Sequence, residues 1–326
     1  MSRTGTRATT RTSAKARAEA PPVPVRELTV VSADGARINV ELHGPDGAPA
    51  VVLAHGWTCN TRFWDAQVRD LAVDHRVVVY DQRGHGRTPE PGPGGYSTQA
   101  LADDLEAVLT ATLAPGQKAV LGGHSMGGMT LMAAGGRPAV REHGAAVLLC
   151  STGSSRLTAE SLVLPIRAGA LRTRITAAVL GARAPLGPVT AVSKVILKYA
   201  TMGRGSAPER VDACARIVHA CPRAVRVAWG HVLAELDLEA GVRELLPPTA
   251  VIAGADDRLT PPVHARAIEV ALPQSLGLTV LTGMGHMTPM EAPEAVTAKL
   301  RALVAAYVTV EGAGSTAAAV SEEEVA

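Results

Sequence analysis

Two hydrophobic patterns alternate along this chain: short continuous apolar runs, and longer stretches with helical spacing. Runs at Ala50–Ala54, Arg76–Tyr80, 118–123 and 145–150 suit strands buried on both faces. Ahead of them, residues 28–31 and 38–42 flank Asp34 and Gly35 and predict an opening hairpin. Leu101, Leu105, Val108 and Leu109 share one helical face. So do Val296, Leu300, Leu303, Val304 and Tyr307 near the C-terminus. Strands alternating with helices predict an α/β fold, with a mostly parallel central sheet flanked by helices.

After Cys150 the alternation stops. Helical stretches broken by Pro165, Pro185, Pro188, Pro208 and Pro222 follow, and Ala168, Leu171, Ile175 and Ala178 form an apolar stripe among them. The strand pattern resumes at Thr249–Gly254 and 278–281. The expected organisation is a core of residues 26–154 and 247–309, with a helical cap, 155–246, inserted between two strands. Residues 1–25, Arg- and Thr-rich, and 310–326, an acidic segment ending in SEEEVA, are too poor in apolar surface to order themselves. Both are expected to be disordered tails.

Composition narrows the function classes. With 326 residues, the chain can bury a substantial core. A net charge of +2 and 2% aromatic residues supply neither a strongly basic face nor stacking platforms, so no nucleic-acid partner is expected. No apolar run approaches the roughly 20 residues of a spanning helix, so no stable membrane insertion is expected. A membrane-surface role is disfavoured too, for want of a sustained basic amphipathic helix. The N-terminus resembles a transit peptide in composition but lacks the apolar core of a secretory signal, and a cytoplasmic protein is expected. Cys59, Cys150, Cys214 and Cys221 show no metal-ligand spacing. Cys214 joins Val211, Ala215 and Val218 at the spacing of a helix core. Nothing in the sequence sets an oligomeric state.

The chemistry concentrates in three loops. Gly123-His124-Ser125-Met126-Gly127 stands between a strand-like run and a helix-like one, the context that turns a G-x-S-x-G into a nucleophile elbow. The helix start behind Ser125 offers free N–H groups to an oxyanion. A serine hydroxyl needs a base, and His286 follows the last strand, flanked by glycines. The base needs an orienting acid, and the loop after Thr249–Gly254 supplies Asp256 and Asp257, in the chain order Ser, Asp, His. Asp257 is preferred, although spacing alone leaves both aspartates open.

Together these motifs resemble the α/β-hydrolase superfamily over roughly residues 26–308. The matching patterns are HGW at 55–57, DQRGHGRT at 81–88, GHSMGG at 123–128, GADDRLTPP at 254–262 and GMGHMTPMEAPE at 283–294. The resemblance implies Ser125 as nucleophile, His286 as base and, as the third residue after Gly254, Asp257 as acid. It also implies an oxyanion hole from the backbone N–H groups of Trp57 and Met126. His55, Asp81, Arg83, His85 and His124 are read as structural, and Cys59 as a passive small residue. The implied reaction is hydrolysis of a small-molecule carboxylic ester with an apolar group, esterase- or lipase-like, without metal or cofactor. A cofactor-free haloperoxidase or perhydrolase, a thioesterase and a lactonase remain alternatives. So does a non-catalytic ligand receptor or scaffold, although scaffolds usually lose the nucleophile or the base.

Overall fold

Asp34 shapes the opening turn. Its Oδ1 accepts from the Ala36 N–H at 3.0 Å, and the flanking runs pair antiparallel as β1 (Arg26–Val31) and β2 (Arg37–His43). The computed structural model describes residues 21–308. Apart from residues 21–25 of the first, both segments expected to be disordered tails lie outside the described residues.

Six further strands follow: β3 (Ala50–Ala54), β4 (Arg76–Tyr80), β5 (Ala119–His124), β6 (Gly144–Cys150), β7 (Thr249–Gly254) and β8 (Ser275–Leu281). They form one eight-stranded sheet in the order β1-β2-β4-β3-β5-β6-β7-β8. Only the pairs made by β2 are antiparallel; from β4 to β8 the sheet is parallel. The Val- and Leu-rich runs form its centre, where β3, β5 and β7 bury every residue. Along β3 the side chains alternate between two cores. Val52 and Ala54 join one apolar cluster, while Val51 and Leu53 join another on the opposite face.

Helices cover both faces. The first is α1 (Asp65–Leu71), then α2 (Thr98–Thr112), α3 (Met126–Ala133) and α4 (Pro138–His143). Between β6 and β7 come α5 (Leu157–Glu160), α6 (Ala170–Leu180), α7 (Ala191–Thr201), α8 (Pro208–Ala220), α9 (Arg223–Ala234) and α10 (Glu239–Glu244). The chain closes with α11 (Pro262–Ala271), α12 (Thr288–Glu291) and α13 (Pro293–Tyr307). Leu101, Leu105, Val108 and Leu109 of α2 are buried as their spacing predicts, and so are Val211, Cys214, Ala215 and Val218 of α8.

Two apolar stripes behave differently. In α13 the buried face ends at Val304, because Tyr307 sits in the last turn with its ring partly exposed. In α6 the stripe through Leu171 and Ala178 faces outward, while Arg172 and Thr176 are the residues it buries. Arg172 donates to the Ala159 carbonyl, so the buried cation has a partner. No helix among the described residues is long and apolar enough to cross a membrane.

Candidate active site

The C-terminal ends of β5, β7 and β8 converge on one point. Ser125 follows β5 directly and has φ +50° and ψ −117°, a conformation a non-glycine residue adopts at a cost of about 1–3 kcal/mol. The turn is held from below: Ser125 N–H donates to the Cys150 carbonyl at 3.0 Å, and Thr152 Oγ1 donates to the Ser125 carbonyl at 2.8 Å. Gly127 is required by close approach, since a Cβ there would lie 2.1 Å from the Ala54 carbonyl oxygen. The chain thus turns from strand into α3 with the serine at the apex.

His286 lies in the loop between β8 and α12, and its Nδ1 is 2.9 Å from Asp257 Oδ2. Asp257 is buried and well supplied with donors: Leu259 N–H at 2.8 Å, Thr260 N–H at 2.9 Å and Thr260 Oγ1 at 2.9 Å. Its neighbour Asp256 is exposed. Position relative to His286 therefore separates two aspartates that spacing could not. With Nδ1–H donated to the carboxylate, Nε2 is left as the free, basic nitrogen. Ser125 and His286 line the same cavity. No hydrogen bond joins them among the described residues; contacts of this kind commonly tighten only with substrate in place.

The backbone N–H groups of Trp57 and Met126 have no acceptor among the described residues, whereas their neighbours Ser125 and Thr58 do. Three buried histidines shape this corner. His55 Nε2 accepts from Gln82 N–H at 3.0 Å while its Nδ1 bonds the Gly56 carbonyl at 2.7 Å. His85 Nε2 accepts from Thr58 N–H at 3.1 Å. Burial pushes His55 down to about 3 and His85 to about 4, so both are neutral and able to accept. His124 stacks on Phe63 and, through Nε2, holds the His286 carbonyl at 2.9 Å. Burial, with His286 adding to it, keeps its pKa well below the usual histidine value. Asp81 receives Thr61 N–H, Arg87 N–H and Asn39 Nδ2, and Arg83 pairs with Asp104. These contacts brace the turn and face no cavity lined by Ser125. Cys59 packs with Phe63 and Trp64, and all four cysteines are free.

The cavity above Ser125 offers about 140 Å³ to water-sized groups, within a wider space that opens to solvent. Trp57, Met129 and Met287 floor it, and Leu164, Val179, Leu180 and Leu197 wall it from the insertion. No Asp, Glu, Lys or Arg is among its lining residues. No cluster of three His, Cys, Asp or Glu able to hold a metal ion occurs among the described residues.

Residues that the sequence did not single out hold the His286 loop. Glu291, buried at the end of α12, accepts from Gly285 N–H and Met287 N–H on either side of His286. The same carboxylate accepts from Gly203 N–H at 2.7 Å and Ser206 Oγ at 2.6 Å, both in the insertion. The Thr201 carbonyl, at the end of α7, accepts the His286 N–H at 2.8 Å. Gly285 permits this packing, because a Cβ there would lie 2.5 Å from the Met202 carbonyl carbon. A Glu five residues after His286 is the one signal in the sequence, but two of its partners, Gly203 and Ser206, lie 88 and 85 residues away. Two indoles add to the junction: Trp57 Nε1 donates to the Arg226 carbonyl and Trp229 Nε1 to the Arg83 carbonyl, each at 3.1 Å.

A parallel sheet carrying a serine elbow and a facing His–Asp pair is the architecture of a hydrolase fold. The chain belongs to the alpha/beta hydrolase family, whose model matches residues 51–299. It is 29% identical over 261 residues to the "Putative carbamate hydrolase RutD" of Stutzerimonas stutzeri, covering 79% of this chain and 92% of that protein. Against the protein of the same name from Variovorax paradoxus, identity is 39% over 93 residues, 28% of this chain and 34% of that protein. In that comparison the match spans about a third of the relative's length. Among solved structures, a thermophilic esterase from Thermogutta terrifontis superposes with a TM-score of 0.69 at 26% identity. That likeness covers 87% of this chain and 100% of the esterase.

Proposed function

We propose that the protein is a serine hydrolase acting on carboxylic esters with an apolar, uncharged group. One observation carries the reading: Ser125, at a strained elbow, shares a charge-free apolar cavity with His286, which is paired to buried Asp257. Ser125 Oγ attacks the ester carbonyl as His286 Nε2 takes its proton, and the imidazolium is stabilised by Asp257. The N–H groups of Trp57 and Met126 receive the oxyanion; one such donor is worth about 3–4 kcal/mol. His286 then gives the proton to the departing alkoxide, leaving an acyl-Ser125. Water, deprotonated by His286, cleaves that ester and restores the hydroxyl. The helical insertion, 155–246, acts as the cap that walls the acyl site. The likeness to a solved esterase supports this reaction class.

A carbamate is the second reading, favoured by the match to RutD over most of the chain. The same attack serves a carbamate carbonyl, but the apolar lining suits a larger acyl or alcohol group. The test combines intact-mass measurement after fluorophosphonate treatment with turnover of p-nitrophenyl esters, acetate to decanoate, and p-nitrophenyl carbamates. A single adduct, absent from Ser125→Ala, with kcat/KM rising beyond acetate, is expected. Faster turnover of carbamates than of every ester would favour the second reading. Folded protein that takes no adduct and turns over neither class would remove both.

A further inference from the structure

The helices that wall the cavity leave their outer sides bare. Of the eleven residues of α7, only Thr201 is buried. Val192, Val195 and Ile196 are 69%, 68% and 62% exposed, and one turn on Tyr199 carries the Arg258 guanidinium over its ring at 4.6 Å. In α6, Leu171 and Val179 are exposed where Arg172 and Thr176 are buried. Helix α6 packs on α5 and α9 and α7 on α8, both line the one cavity, and apolar residues exposed on both beside its rim mark a surface with a partner.

Charge points to the partner, with Glu209 and Asp212 the acids in the groove beside Val195. Between Glu160 and Glu209 the chain carries seven Arg and Lys and no Asp or Glu. Lys194 pairs with Asp212, and Lys198 donates to the Ser206 carbonyl. Arg167, Arg174, Arg183 and Arg204 are exposed and make no ion pair among the described residues. A second copy docked through this face would set these cations against their own equivalents. Residues 1–20 are basic as well and would be repelled. The acidic residues 309–326 follow α13, whose Arg301 pairs with Asp70 and Asp74 just before β4 begins. That end of the sheet is opposite the cavity.

We infer that the outer face of α6, α7 and their connection docks on an anionic phospholipid surface. The apolar side chains enter the boundary between headgroups and acyl chains, and the arginines meet the phosphates. Val179 lines the cavity and is half exposed, which sets the cavity beside this face. A lipid-borne ester would then reach Ser125 without crossing water. The sequence shows no sustained basic helix because the surface is assembled from two short helices and their links. Docking goes beyond the proposed reaction, and its readout is binding rather than turnover.

The test is co-sedimentation of the full chain with vesicles of phosphatidylcholine alone and of phosphatidylcholine mixed with phosphatidylglycerol. Binding at least about tenfold stronger to the mixed vesicles is expected, weakening as salt is raised. Val195→Asp combined with Ile196→Asp, at exposed positions, should cut binding about tenfold or more with Tm unchanged. Arg174→Gln with Arg183→Gln should weaken binding to the mixed vesicles alone. Failure to bind, equal binding to both vesicles, or double-Asp protein that binds like wild type overturns the inference. So does a dimer in solution that the double-Asp change dissociates, which would make the occupant a second copy. Vesicle binding seen only after removal of residues 309–326 would assign the face to that acidic segment, and overturns it too.

Discussion

Strands β3, β5 and β7 bury all their residues, whereas α7, nearly twice as long as any of them, buries one. The strands are apolar but for His124 and Thr249 at their ends, and they are covered on both faces, so their side chains are buried. Helix α7 is just as apolar in places, but a thin layer of chain above a cavity has no second layer to cover its outer side. The difference teaches that apolar content specifies burial only where the architecture supplies two neighbours. Over the sheet, apolarity reports the core. In the insertion, the same signal reports the cavity on one side and the surroundings on the other. The two regions are nonetheless joined at the candidate site, where Thr201, Gly203 and Ser206 of the insertion hold the His286 loop directly and through Glu291.

The contrast can be tested from its sharpest point outward. Asp257→Asn should lower kcat by about 10⁴, because the amide favours the wrong imidazole tautomer, while Asp256→Asn should leave kcat unchanged. Steady-state turnover of a p-nitrophenyl ester measures both, and equal losses would undo the assignment. Glu291→Gln comes next, placing an NH₂ among N–H donors. A stability loss of about 2–4 kcal/mol in urea unfolding is expected, with reduced kcat, if the insertion helps to hold the base.

Acid stability tests the buried histidines. His55 and His85 have folded pKa values of about 3 and about 4, below the ordinary 6.5. The unfolded chain therefore binds more protons below 6.5, so their contribution to stability falls as pH drops from 6.5 toward 4. His85→Asn should remove about one proton from the pH dependence of unfolding over that window. An unchanged slope would mean that His85 is already charged in the fold. Smallest of all, Val192→Ser and Val195→Ser should change stability by about 0.5 kcal/mol or less, as exposed positions do. The matching change Val52→Ser in β3 should cost several-fold more. Thermal or urea unfolding of the three variants compares the two regions directly.

Most of the frame was legible. The bounds of β3, β4 and β7 coincide with their largely apolar runs, since a strand buried on both faces leaves polar residues to its ends, as at Arg76 and Thr249. The hairpin, the strand-to-helix context of Ser125 and the chain order of its partners were legible for the same local reason. Less legible was the direction of a helical stripe. Leu171 and Ala178 have the spacing of a buried face yet point outward, because periodicity defines a face and not what lies against it. Glu291 lies within the GMGHMTPMEAPE pattern, but its contacts were not legible there. Its contacts are mostly to backbone N–H groups, which all residues but proline carry, and two of its donors, the Gly203 N–H and the Ser206 hydroxyl, come from the insertion.

The sequence by itself determined the α/β alternation, the serine elbow and the loops that carry the candidate acid and base. Those features are written in local spacing, in residues a few positions apart along one element. Only the tertiary structure decided that Asp257 rather than Asp256 meets His286, that Glu291 ties the insertion to the base loop, and that α7 shows its apolar face to the outside. Each of these depends on which surfaces the sheet brings together, and burial and hydrogen-bond partners are properties of that packing, not of any stretch of chain alone.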